Sequence, residues 1–215
     1  MSPLLRQIGV IMSSFDELCS NAIQQLGAAA ISSLDDNTAR ARRAKAIYED
    51  VRDSVIRDAK WNFAMTRTQL SSTLADPSFG WTKNAELPQN PFCLRVIQAY
   101  SGDTPIDHAV EGRKLMSDYT TVNLLYLARI TDPAQFDSMF IEAFEARLAA
   151  ELALPITGSR TVSVDFWQLY DAKIKNARAI DAQEGTPPQI QATSLVSVRN
   201  TGRSIQEEAL RITIP

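Results

Sequence analysis

The stretch LLYLARITDPAQFDSMFIEAFEARLAAELALPITGS, residues 124–159, changes its hydrophobic period part-way along. Its beginning belongs to TVNLLYLARI, residues 121–130, an apolar run of strand length that suits a buried strand. From Asp132 and Pro133 onward, Phe136, Met139, Phe140, Ala143, Phe144, Leu148 and Leu152 recur at helical spacing as one stripe, closing near Pro155. The chain should therefore leave a sheet and enter a helix within a few residues.

Upstream of this junction, from Arg67 to about Ile130, Pro77, Gly80, Pro88, Pro91, Gly102, Pro105 and Gly112 punctuate short runs and leave little room for helix. FCLRVIQAY (92–100) is rich in strand formers, and DHAVEGRKLMSDY (107–119) reads as a hairpin turning at Glu111 and Gly112. A small antiparallel sheet of three to five strands would use these runs.

Further upstream the helical period returns. Ser14 stands as an N-cap with Glu17 three residues on, and Phe15, Leu18, Cys19, Ala22, Ile23 and Leu26 follow at helical spacing up to Gly27. A second helix should begin near Asn37 and run past Ala59, with Ala44, Ile47, Tyr48, Val51 and Val55 inward. Downstream, Val164 to Glu184 supplies a fourth, with Trp167, Tyr170, Ile174 and Ala177 inward and Gly185 as its stop.

The expected fold is mainly α with a β insertion (α+β): an antiparallel bundle of about four helices with a small antiparallel sheet between the second and third. In this division residues 14–66 and 131–185 make the bundle and 67–130 the inserted β region. Residues 1–13 form an N-terminal arm and 186–215 an extended C-terminal tail. The linker GTPPQ detaches that tail, because two prolines forbid helical continuation. Within it Leu195, Val196 and Val198 are apolar, and Leu210, Ile212 and Ile214 alternate with Arg211 and Thr213 at a period of two. Such a run suits addition to an exposed sheet edge, either on another chain or, as the alternative, as an extra strand on its own inserted sheet.

Composition sets outer bounds on function. The chain has 215 residues, 45% of them hydrophobic and 22% charged, which is enough to bury a core. A net charge of -3 gives no overall attraction to nucleic acid or to an anionic membrane. No apolar run is long enough to span a bilayer, so no membrane partner is expected. The two cysteines, Cys19 and Cys93, lie in apolar surroundings and read as free thiols. With His108 the only histidine, neither a zinc cluster nor an imidazole-based nucleophile pair is well supplied.

Phosphate-loop, dinucleotide and hydrolase signatures are absent, so no catalytic residue, metal or cofactor is assigned. The adjacent carboxylates Asp35–Asp36, Glu49–Asp50 and Glu207–Glu208 diverge on any regular element and read as solvated caps or faces. The sharpest charge feature is Arg40, Arg42, Arg43 and Lys45, a candidate patch for DNA phosphates. Asp35, Asp36, Glu49, Asp50 and Asp53 flank it and could meet much of that charge locally.

The order of several pieces carries a resemblance. ELCSNAIQQLG is followed by ISSLDD, then AKAIYEDVRDSVIRDAKWNFA, FGW and LPQNPFCLRVIQAY. VEGRKLMSD then leads into LLYLARITDPAQFDSMFIEAFEARLAAELALPITGS, and ARAIDAQEGTPP completes the run. This series, across roughly residues 14–185, resembles the tail tubular protein A family, the head-to-tail adaptors of short-tailed bacteriophages.

The resemblance implies a structural virion protein, made in the host cytoplasm and located at the head-tail junction. It implies a homo-oligomeric ring, commonly of twelve copies, docked on the portal protein and presenting its far face to the tail nozzle protein. Genomic DNA would pass through the channel without sequence readout. Two alternatives from other classes are a cell-wall hydrolase associated with the tail and a free DNA-binding helical protein.

Overall fold

The structure, a computed structural model, describes residues 14–72 and 74–184. The expected N-terminal arm and C-terminal tail, with Leu195, Val196, Val198, Leu210, Ile212 and Ile214, lie outside the described residues. The Ser14 and Thr38 hydroxyls accept hydrogen bonds from the amides of Glu17 and Ala41, and so start α1 (Phe15–Gln25) and α2 (Ala39–Asp58). A 3-10 turn at Asn62–Ala64 feeds β1 (Met65–Ser71). Then come β2 (Lys83–Glu86), β3 (Cys93–Ser101), β4 (Thr104–Ile106), β5 (Ala109–Glu111), β6 (Lys114–Ser117) and β7 (Thr121–Ala128). A second 3-10 turn, Pro133–Gln135, leads into α3 (Ser138–Thr157) and α4 (Arg160–Glu184).

All strand pairings are antiparallel, and the strands fall into two sheets, ordered β1-β7-β3-β4 and β2-β6-β5. The expected mainly α bundle with one small sheet is therefore corrected: this is a sheet-rich α+β fold, with four helices and seven strands among the described residues. Two physical reasons account for the difference. Strands β2, β4, β5 and β6 are each only three or four residues long, too short to show an alternating pattern. The second sheet also depends on β2 meeting β6 across a long sequence gap, Asn84 opposite Met116, which no local pattern reveals.

The helices do not form a simple antiparallel bundle either. Phe140, Ala146, Leu148, Ala149, Leu152 and Ala153 point in every direction around α3, and all are buried. It is a central helix, with buried residues of α1, α2 and α4 packed into the same cluster. Pro155 lies inside its last turn rather than ending it, and Gly158, at φ 70°, closes the helix by donating its amide to the Leu154 carbonyl. The helix starts later than Pro133 because Asp137 is the residue that caps it, while Asp132 caps the preceding short turn.

Strand β7 explains how the two parts join. Val122, Leu124, Tyr126 and Ala128 face the second core, with Leu115 of the smaller sheet and Cys93. Leu127, of opposite parity, enters the helical core beside Trp61, Phe140 and Leu94. A strand buried on both faces must be apolar throughout, which is why this stretch stands out in the sequence. The expected strands at FCLRVIQAY and TVNLLYLARI and the hairpin at Glu111–Gly112 are present, with Gly112 at φ 59° in the turn.

Candidate functional site

The sequence feature most suggestive of DNA contact is Arg40, Arg42, Arg43 and Lys45, all on the first turns of α2. At roughly 100° per residue, Arg40 and Arg43 fall on one flank of the helix and Arg42 and Lys45 on the other, about 160° away. The buried residues Ala41 and Ala44 lie between the flanks. The cluster is thus two rows rather than one surface.

Each row is tied to its own neighbourhood. Arg43 donates to the Pro155 carbonyl near the end of α3, where a cation suits the negative pole of the helix. Arg42 donates to Asn37 Oδ1 at 2.6 Å. Lys45 pairs with Asp35, which holds that carboxyl below its usual range and the lysine above its own. The Nε of Arg40 is buried without a hydrogen-bond partner.

The carboxylate pairs are also used locally. Asp36 Oδ2 accepts the amides of Ser32 and Ser33 at 2.8 and 3.2 Å, fixing the α1–α2 loop. Glu49 accepts a hydrogen bond from Tyr48. Glu207 and Glu208 lie outside the described residues. Among the described residues no group of three His, Cys, Asp or Glu side chains is placed to hold a metal ion, and no helix is long and apolar enough to cross a membrane.

Three other ionisable groups, wholly or partly buried, serve packing. Cys19 is enclosed beneath α1, and burial, with Asp16 and Glu145 nearby, pushes its thiol up to about 12. Glu145 accepts hydrogen bonds from Asn21 at 2.9 Å and Gln25 at 3.0 Å, joining α3 to α1. Burial raises its carboxyl above the usual range, and the two amide donors offset part of that rise. Tyr170 donates to Asp58 Oδ2 at 2.5 Å, joining α4 to the end of α2, and is pushed well above its ordinary value by burial and that carboxylate.

The arrangement that sequence reading did not find is a cleft of about 470 Å³ where the two sheets part. Strands β3 and β4 pair at Ala99–Ser101 with Thr104–Ile106. The chain then leaves β3 and, as β5, pairs with β6 instead. Between the diverging strands, Leu94 and Val96 on one side face His108 and Val110 on the other.

Arg57, at the end of α2, Arg95 and Arg113 line the same space, and among the described residues no carboxylate does. Arg113 is held by the carbonyls of Cys93 at 2.9 Å and Pro88 at 2.6 Å and lies over the Phe92 ring at 4.0 Å. Arg95 donates to the Arg57 carbonyl at 3.0 Å. Arg57 has no carboxylate partner among the described residues. These cations are scattered along the chain, and the fold brings them to one space, Arg95 through its bond to the Arg57 carbonyl at the end of α2 and Arg113 from the β5–β6 turn.

A second hollow, of about 410 Å³, lies between Arg67, Tyr100, Asp103 and Asn123. Its charges offset one another. Apolar side chains are also left outside both cores: Phe79 is 89% exposed in the β1–β2 loop, and Leu169 and Ile180, eleven residues apart, share one outer stripe of α4. No protein-family model matches the chain, and no curated protein matches it.

Proposed function

We propose that the chain is a structural adaptor that forms a ring between the portal and the tail nozzle of a short-tailed bacteriophage, and lines the channel through which DNA leaves the head. The observation that carries this reading is the ordered series of motifs across residues 14–185. Its pieces coincide with the elements that build the core: α1, α2 with Trp61, β3, the β5–β6 hairpin, and the passage from β7 into α3.

Two features of the surface support it. Phe79, Leu169 and Ile180 leave apolar area in water that a partner subunit would cover. Asp36, Glu145, Tyr170 and Asp58 are engaged in loop fixing and helix-to-helix contacts, the pattern of a scaffold rather than a reaction centre. In this reading the partners are further copies in a ring of about twelve, the portal protein, the nozzle protein and the passing DNA. Because Arg40, Arg42, Arg43 and Lys45 divide between two flanks of α2, the lumen would offer DNA no continuous basic stripe from them.

The test is location in the particle. Antibody raised against the chain and applied to intact virions should label the vertex where head meets tail. Label on the fibres or shell, or absence of the chain from purified virions, would contradict the proposal.

A further inference from the structure

The cleft between β3 and β5 has two properties that together define an occupant. Its floor is apolar, from Leu87, Leu94 and Val96, and Val110 stands 46% exposed at its lip. Its rim is cationic, from Arg57, Arg95 and Arg113, with no carboxylate in the lining among the described residues. A phosphate alone would leave the floor wetted, and a purely apolar peptide would leave the arginines unanswered. Carboxylates set beside aliphatic side chains satisfy both.

The backbone adds a third property. Among the described residues Leu94–Gln98 of β3 have a ladder partner only in β7 and β5 only in β6, so each of these strands leaves one edge without a ladder partner, while Cys93 is already engaged by Pro88 and Arg113. An extended segment can bond to such an edge and alternate its side chains between floor and solvent.

We infer that this cleft takes the run EEALRITI, residues 207–214, of a second copy of the chain, in which two glutamates outnumber the one cation, Arg211. That run sets Glu207 and Glu208 ahead of Leu210, Ile212 and Ile214 at a period of two. On an extended strand Glu208 shares a face with Leu210, Ile212 and Ile214, so its carboxylate answers the cationic rim while those aliphatic side chains answer the floor, and Glu207 and Arg211 take the opposite face. The inference rests on the ring reading only in taking another copy as the donor, and it would give that ring one of its subunit contacts.

The experiment is a charge-swap cycle on the full-length chain, read by sedimentation equilibrium. Arg57→Glu with Arg95→Glu, and separately Glu207→Lys with Glu208→Lys, should each weaken self-association by roughly tenfold or more, and the four changes combined should restore most of it. Arg57 and Arg95 are exposed, so the first variant should stay folded, with a melting curve lowered only slightly by loss of the Arg95 bond to the Arg57 carbonyl. Leu210→Asp with Ile212→Asp is a second variant that leaves every cation in place, and it should weaken association as well.

A wild-type chain that stays monomeric at all concentrations overturns the inference. So do single swaps without effect, a combined variant no better than either pair, or inhibition by a mixed-sequence oligonucleotide that the arginine swap abolishes. Self-association through this contact without portal binding would remove the adaptor reading and leave the inference standing. A portal-bound ring indifferent to the swaps would do the reverse.

Discussion

Arg129, just past the end of β7, donates from Nε to Asp53 Oδ2 on α2 at 2.7 Å, and its Nη2 lies 2.6 Å from the same oxygen. Asp53 Oδ1 meanwhile accepts from Arg52 at 2.8 Å. Arg129 also lies over the Phe92 ring at 4.4 Å, with Arg113 over the same ring at 4.0 Å. One carboxylate and one ring thus join the helical part to the sheets through directional contacts, beside the apolar contact made by Leu127.

Removing that carboxylate leaves two arginines without their counter-charge, one of them buried. Asp53→Ala should cost about 2–4 kcal/mol in chemical denaturation. A loss below about 0.5 kcal/mol would mean that the apolar junction alone sets the orientation of the two parts.

Phe140 is fully buried and touches Phe136 at 4.6 Å, Phe63 at 5.1 Å and Trp61 at 5.3 Å between ring centroids. Phe140→Ala should cost about 3–5 kcal/mol in the monomer. Wild-type thermal stability combined with failed assembly would instead mark the stripe as an interface.

How far the sequence could be read follows from how local each signal is. The Ser14 cap, the α3 stripe and β7 each carry their cause within a few residues; the cap and β7 are where the pattern places them, and the stripe is too from Met139 on, although the helix begins at Ser138 and runs past Pro155. The second sheet, the circumferential burial of α3 and the cationic cleft depend on residues distant in sequence: Asn84 with Met116, or Arg57 with Arg113. Periodicity could mark α3 as buried on its Phe140–Phe144 face but not that Ala146, Ala149 and Ala153 are covered too, since alanine suits either environment. The run ARARRAK shows the opposite error, because adjacency in sequence suggests one patch where helical rotation makes two.

Glu145 gives a pH dependence with a definite sign. Its folded carboxyl lies above the ordinary glutamate value, so the folded state binds that proton more tightly than the unfolded chain. Its contribution to stability is present below the unfolded value and is lost as pH rises through the raised folded value. Glu145→Gln stays neutral throughout, so its stability relative to wild type should rise from acidic to neutral pH in parallel urea titrations. An unchanging difference would show that the group ionises normally.

Cys19 should resist thiol reagents at pH 8 in the folded chain, since burial and two nearby carboxylates hold its thiol at about 12. Labelling followed by mass spectrometry should find it modified only after denaturant is added. Rapid modification under native conditions would mean that α1 opens readily.

Phe79, almost wholly in water, holds nothing together in the monomer. Phe79→Ser should change the melting free energy by less than about 0.5 kcal/mol, yet reduce assembly with a partner. Unchanged assembly would assign the loop no contact.

The adaptor reading itself is tested most directly by electron microscopy of the purified full-length chain mixed with the portal of its own phage. The account predicts a closed ring of adaptor density stacked coaxially on the portal, with rotational symmetry in class averages and a mass of about twelve added copies. Portal rings that remain bare at saturating adaptor, or a chain that binds them singly without closing a ring, would contradict it.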